Sequence, residues 1–389
     1  MTPSEIDRVL EAATEREEVP GVVAMAATRD AAVYQGAFGR RAMPDGAAMT
    51  PDTVFWIASM TKAITSTAAM QLVEQGRLAL DRPIGDLLPE IAAPQVLLGF
   101  DAGGAPQLRP AKRPITLRHL LTHTAGFVYD IWNAEMGRYM EQAGTPGIIS
   151  CHDAALALPL VFEPGEKWDY GINIDWVGKA VERASAQKLG DYFAEHVFAP
   201  IGMVDTGFRL SPQHRTRLAG IHARGADGSL APIDFEIPQE PEFHMGGGGL
   251  YGTAADYLAF QRGFLNEGRA DNGRQVLKPE TARQMAENAM GDLDVRRLVT
   301  AMPAYSNDAE FFPGMKKKWG LGFMIATEPG PCGRNAGSLN WAGLANTYFW
   351  IDPAKGVAGV ILMQLIPFAD AKSLSLLDDF ERAVYAVLP

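Results

Sequence analysis

The amino-acid sequence predicts an α+β fold, an α/β sandwich in which an antiparallel sheet is flanked by helices and carries a mainly helical insertion. Three observations predict it. The chain has 389 residues, more than the roughly 100–200 of one compact domain. Strand and helix patterns occur together at both ends, and the middle is rich in helical spacing. The simplest assembly draws residues 1–75 and 245–389 into a sheet domain and leaves 76–244 as the insertion.

Taken in order, Ser4 to Glu17 places Ile6, Val9, Leu10 and Ala13 at helical spacing behind a capping serine, and stops before Pro20 and Gly21. Val22 to Thr28 and Ala31 to Phe38 are apolar runs joined through Arg29 and Asp30, as in a β-hairpin. In the middle, Leu117 to Thr124 is a short helix behind Thr116, and Ile174 to Ser185 is a longer one with Asn173 or Asp175 near its start. Pro, Gly and Asp cluster at 101–114 and 225–241, which predicts exposed loops. Towards the end, Trp319 to Thr327, Asn346 to Ile351 and Val357 to Leu365 read as strands. A helix from Ser373 to Val387 closes the chain.

Composition removes several functions. Apolar residues make up 47% and charged residues 21%, the balance of a chain that folds around a core. The 35 basic against 46 acidic residues leave a net charge of −11, which opposes binding to nucleic acid or an anionic membrane. Cys151 and Cys332 are the only cysteines, so a disulfide framework and a four-cysteine zinc site are excluded. The opening residues lack the basic start and apolar stretch of a signal peptide, and no apolar run reaches the roughly 18 residues of a spanning helix. A soluble, cytoplasmic protein is the expectation.

The chemistry concentrates between Phe55 and Ser66, where Ser59 is followed three residues later by Lys62 at the mouth of a helix that runs to Gly76. Positions i and i+3 share a helical face, so the amine reaches the hydroxyl. Serine is a poor nucleophile until its proton is taken, and lysine is a base only when neutral. The apolar surroundings of Lys62 and the positive helix N-terminus both disfavour the ammonium. That N-terminus also offers the Ser59 backbone N–H to a developing oxyanion.

Further motifs follow in order: Leu120 to Gly126 with His123, Pro164 to Gly178 with Tyr170, Gly246 to Asp256, and Trp341 to Gly343. From Val22 to about Leu365 the chain resembles the penicillin-recognising serine hydrolases, in the branch that holds class C β-lactamases, D-aminopeptidases and family VIII carboxylesterases. The resemblance implies a β-lactamase/transpeptidase-like fold with its active site in the crevice between sheet and helical parts. It implies Ser59 as nucleophile, Lys62 beside it and Tyr170 sharing acid and base work, with the N–H groups of Ser59 and Leu344 as oxyanion donors. A tyrosine beside a cationic lysine would have its phenolate stabilised. Whether Lys62 or Tyr170 takes the first proton stays open.

Two departures point toward neutral esters. Where the lactamases carry Lys-Thr-Gly, this chain has Trp341, Ala342 and Gly343, which replaces an ammonium and a hydroxyl by apolar surface. Where they carry an asparagine two residues after the tyrosine, it has Ile172, with Asn173 adjacent. Both resemble family VIII carboxylesterases. Phe127, Tyr129 and Trp132 after the histidine motif, Phe243 before the glycines, and Trp341 are the expected walls of an acyl or alcohol pocket at Gly343. The Gly247, Gly249 and Gly252 pattern lacks the strand and helix of a dinucleotide site, and His119 and His123 lack a third metal ligand. The expectation is a serine carboxylesterase acting through an acyl-enzyme on small-molecule esters of short-to-medium acyl or aryl type, with no cofactor and no metal. The alternatives are a β-lactamase, a D-aminopeptidase or other amide hydrolase, an acyltransferase, and a non-catalytic binding relative.

Overall fold

The computed structural model describes residues 3–388. Helix α1 (Pro3–Glu15) begins one residue before the expected cap and leads into the hairpin of β1 (Gly21–Thr28) and β2 (Ala32–Gly39). The far end supplies β3 (Lys317–Trp319), β4 (Met324–Ala326), β5 (Leu339–Gly343), β6 (Thr347–Asp352) and β7 (Val357–Leu362). These seven form one antiparallel sheet in the order β2-β1-β7-β6-β5-β4-β3. β1 pairs with β7 from Val23 opposite Leu362 to Thr28 opposite Val357, so the two ends of the chain meet within the sheet.

Helices cover both faces of the sheet. On β6, Trp350 packs on Phe380 of the terminal helix α5 (Ala371–Val387), with ring centroids 5.6 Å apart. Its neighbour Phe349 points the other way, to Tyr257 of α4 (Ala254–Leu265), at 5.0 Å. With neither face wet, β6 and β7 are buried at every residue, which is why they read as continuous apolar runs rather than as alternation.

Two predicted strands break, each for a reason that serves the site. The run from Trp319 splits into β3 and β4 around a turn in which Gly322 has φ +117°. A Cβ there would come within 2.7 Å of Ser66, so the turn presses against α2 (Thr61–Glu74). The run from Val357 stops at Leu362. Gln364 then turns its amide onto Trp56, accepting from its N–H at 3.2 Å and donating to its carbonyl at 3.0 Å, and Leu365–Ile366 joins a second small sheet with His222–Arg224.

The segments 101–114 and 225–241, expected as loops, each contribute a strand. Pro106–Pro110 pairs with Gln95–Phe100, and Leu230–Pro232 pairs with His222–Arg224. Proline is tolerated on such narrow ribbons because it need not donate to a further strand. Between the sheet's two halves lie mostly helices, including Leu117–Leu121 and α3 (Asn173–Ser185), and α3 packs on α2. Helix α2, buried from Thr61 to Leu72, is therefore held between sheet and helical parts. Among the described residues no helix is long and apolar enough to cross a membrane.

Candidate active site

Ser59 owes its position to the turn before α2. Phe55 and Trp56 pair with Gly252 and Tyr251, and the Trp56 indole donates to the Gly248 carbonyl at 2.7 Å. The chain then reverses at Ala58, whose φ of +45° lies in the left-handed region that costs a non-glycine residue on the order of 1 kcal/mol. A 3₁₀ turn over Ala58–Met60 carries Ser59 and runs directly into α2. The end of β5 closes on this turn. A Cβ on Gly343 would lie 2.4 Å from the Ile57 carbonyl, so only glycine lets the strand approach. Leu344 thereby borders the same pocket as Ser59.

Lys62, 1% exposed, reaches back from the first turn of α2. Its Nζ makes three hydrogen bonds, to Ser59 Oγ at 3.0 Å, Tyr129 Oη at 3.1 Å and the Gly247 carbonyl at 2.6 Å. The carbonyl can only accept. A neutral amine, with two N–H groups and one lone pair, still satisfies all three contacts if the Ser59 hydroxyl donates to the lone pair, whereas the ammonium donates to all three. Both protonation states are accommodated without moving a heavy atom. Burial pulls the Lys62 amine well below the usual lysine range, and Asp175 opposes this.

Tyr170 lies against the Lys62 amine. Its ring centroid is 4.7 Å from Lys62 Nζ, and Trp341 Nε1 donates to its Oη at 2.9 Å. Burial raises the phenol above its ordinary range despite the hydrogen bond from Trp341. The phenolate stabilised by a cationic lysine, expected from the sequence, is therefore disfavoured. Desolvation dominates, and the neighbouring lysine is itself pushed toward the neutral form.

The pocket beside Ser59 is narrow, with about 40 Å³ of free space. Tyr129 and Trp132 line it as expected, together with Trp56, Ile131, Ile148, Ile149 and Met245, none of which the sequence reading singled out. Among the described residues lining it, none is charged. Trp341 does not line it. The indole is buried against Trp319 and Tyr170, with centroids 4.6 and 4.9 Å away, because its N–H is turned to the phenol.

Phe127 and Phe243 are also elsewhere. Phe127 stacks on Trp176 in a separate cleft while its carbonyl holds Asn173, and Phe243 lies under the Lys179 ammonium at 5.0 Å. Asn173, adjacent to the lactamase amide position, gives its N–H groups to Phe127 and His123 and does not face the pocket. Asp175, named from the sequence only as a residue near the start of a helix, is fully buried on α3, and its Oδ1 accepts from the Gly247 N–H at 2.8 Å. Its signal was an acid inside the tyrosine motif, on the apolar face of a helix.

A family model described as Beta-lactamase matches residues 6–378. Monacolin J acid methylbutanoyltransferase of Aspergillus terreus is 34% identical, over 96% of this chain and 93% of that protein. A lovastatin esterase of Penicillium rubens is 30% identical, over 98% of each. Among solved structures, a mutant of simvastatin synthase from Aspergillus terreus superimposes with a TM-score of 0.86 at 32% identity, covering 99% of this chain and 97% of that one. With its β-lactamase/transpeptidase-like fold and these serine hydrolase and acyltransferase relatives, the chain belongs to the Beta-lactamase family.

Proposed function

We propose that the protein is a serine carboxylesterase that takes short, apolar acyl groups from neutral esters onto Ser59 and releases them to water, with alcohols competing as acceptors. The observation that carries the reading is the buried Lys62 amine, hydrogen-bonded to Ser59 Oγ at 3.0 Å in a setting that accepts it neutral or charged. Lys62 takes the Ser59 proton as Oγ bonds to the ester carbon, and the N–H groups of Ser59 and Leu344 receive the oxyanion. The C–O bond to the alcohol then breaks as the leaving oxygen gains a proton from Tyr170, which regains one from Lys62. A water or alcohol reverses these transfers and frees Ser59.

The uncharged pocket supports a neutral acyl group and gives a lactam carboxylate no cation to meet. Its small volume supports few carbons. The named activities of the relatives, a methylbutanoyl transfer and an ester cleavage, support both acceptors and make transfer to an alcohol the second reading. Cys151 and Cys332, both buried free thiols, support a reducing, cytoplasmic setting.

The test is turnover of p-nitrophenyl butyrate, with product analysis in the presence and absence of a primary alcohol and detection of the acyl-enzyme by intact mass. Ser59→Ala is expected to lose turnover and adduct together. Retained turnover would remove Ser59 from the reaction, and nitrocefin cleaved faster than the ester would reverse the substrate ranking.

A further inference from the structure

Lys62 faces a problem that its own contacts do not solve. In taking the Ser59 proton it becomes a cation 1% exposed, and the groups that hydrogen-bond to it, Ser59, Tyr129 and the Gly247 carbonyl, are neutral. A buried charge without a counter-charge is expensive. The titratable groups around it are Tyr129 and Tyr170, both held protonated by burial, His123, which burial and Lys62 keep neutral, and Asp175. Of these protein groups only the last can supply a negative charge that outlasts the transient oxyanion.

Asp175 does not touch the amine directly. It sits in the first turn of α3, where the helix N-terminus favours a carboxylate, and its Oδ1 accepts from the Gly247 N–H at 2.8 Å. Across the same peptide, Thr65 Oγ1 donates to the Gly246 carbonyl at 2.7 Å. The Gly246–Gly247 peptide is thus clamped from both ends, and the next carbonyl, that of Gly247, points at Lys62 Nζ. The fit excludes any side chain. A Cβ on Gly247 would lie 2.5 Å from Asp175 Oδ2 and 2.9 Å from Oδ1, which gives this glycine a reason unrelated to phosphate binding. Burial raises the Asp175 carboxyl, while Lys62 and the Gly247 N–H hold it down.

We propose that Asp175 is a positioning residue for Lys62: it fixes the carbonyl to which the amine is anchored, and its charge compensates the ammonium formed when Ser59 gives up its proton. This rests on the reading of Ser59 and Lys62 as nucleophile and base. Without Asp175 the amine would bind a proton less readily, so its titration must move to lower pH. Tyr129, Tyr170 and Cys151 also feel Asp175, and burial keeps all three protonated, the Cys151 thiol being raised to about 12.

The test uses Asp175→Asn, which keeps an oxygen to accept from Gly247 and removes only the charge. Lysine side chains labelled with carbon-13 at Cε are titrated by NMR in the native protein and the variant, the Lys62 resonance being identified by its loss in Lys62→Met. The expected result is a Lys62 midpoint roughly one pH unit lower in Asp175→Asn. The acidic limb of kcat/KM for p-nitrophenyl butyrate should move down with it, at an unchanged melting temperature. A midpoint that stays in place in a folded variant overturns the proposal. Because the NMR titration needs no turnover, failure of the catalytic reading, seen as ester cleavage surviving Ser59→Ala, remains distinguishable from failure of this one. A shifted midpoint with an unmoved kinetic limb would assign the base elsewhere while keeping Asp175 as partner of Lys62.

Discussion

Tyr129 and Phe127 stand two residues apart and line two different cavities. Tyr129 closes the narrow pocket at Ser59, where its hydroxyl, the Lys62 amine, the Ser59 hydroxyl and the Tyr170 phenol converge. Phe127 lines a cleft of about 470 Å³ with Trp176 and Tyr139. That cleft is some ten times larger and has charged groups at its edge, yet its charges pair with one another, Lys179 with Asp153 at 2.6 Å and Arg183 with Glu90. Aromatic walls and volume are common to both. What separates them is whether polar groups are aimed at a shared point in space or consumed by their own partners.

The largest expected effect follows from removing the group at which the first site converges. Lys62→Met preserves length and apolar bulk and should lower kcat/KM for p-nitrophenyl butyrate by about 10³-fold or more. Because the native amine is held below the ordinary lysine range, native kcat/KM should rise with pH through the Lys62 titration and plateau. Its alkaline fall is displaced upward, since Tyr170 stays protonated beyond its ordinary range. If Lys62→Met retained a tenth of the native rate, the convergence described above would have no catalytic meaning.

Next in size is Trp341→Phe. The ring keeps its packing against Trp319, and the hydrogen bond to Tyr170 Oη is lost. A bond worth about 1 kcal/mol, lost next to the group proposed to protonate the leaving oxygen, should cost about fivefold in kcat. The ratio of rates on butyrate and octanoate esters should stay as it was, because the indole does not line the pocket. A changed ratio at constant kcat would return Trp341 to the role of acyl wall. Met245→Ala should do the opposite. Shortening a side chain that does line the pocket should shift preference about fivefold toward longer acyl chains, with kcat on butyrate nearly unchanged.

These contrasts show what was legible in the sequence. Ser59 and Lys62 were readable because an i, i+3 pair on a helix is local, and the hairpin of β1 and β2 because its partners are adjacent. The identity of Tyr170 came through its motif. Lost were features that depend on what meets across long stretches of chain. Asp175 acts on Lys62 through Gly247, 72 residues later in sequence, and nothing local marks that glycine as the receiver of a carboxylate. The split of the run from Trp319 depends likewise on Ser66, and the fate of Phe127 on Trp176. Residue type announced an aromatic wall correctly and could not say which cavity it would face.

The smallest expected effect on activity, and the sharpest test of the comparison, is at Phe127. The residue is 1% exposed and stacks on Trp176 at 6.2 Å, so Phe127→Leu should cost stability, about 1–2 kcal/mol from lost ring contacts. Its backbone carbonyl, which holds Asn173 and so the start of α3, is untouched by the substitution. Asp175 should therefore keep its place, and kcat/KM for p-nitrophenyl butyrate at 25 °C should change less than twofold although the melting temperature falls. Trp176→Phe serves as the companion, since it alters the same cleft from the other side. A loss of tenfold or more in either variant, at a temperature where both are folded, would mean that the larger cleft is energetically coupled to Ser59 through the first turn of α3. The division between a reactive pocket and an inert cleft would then have to be abandoned.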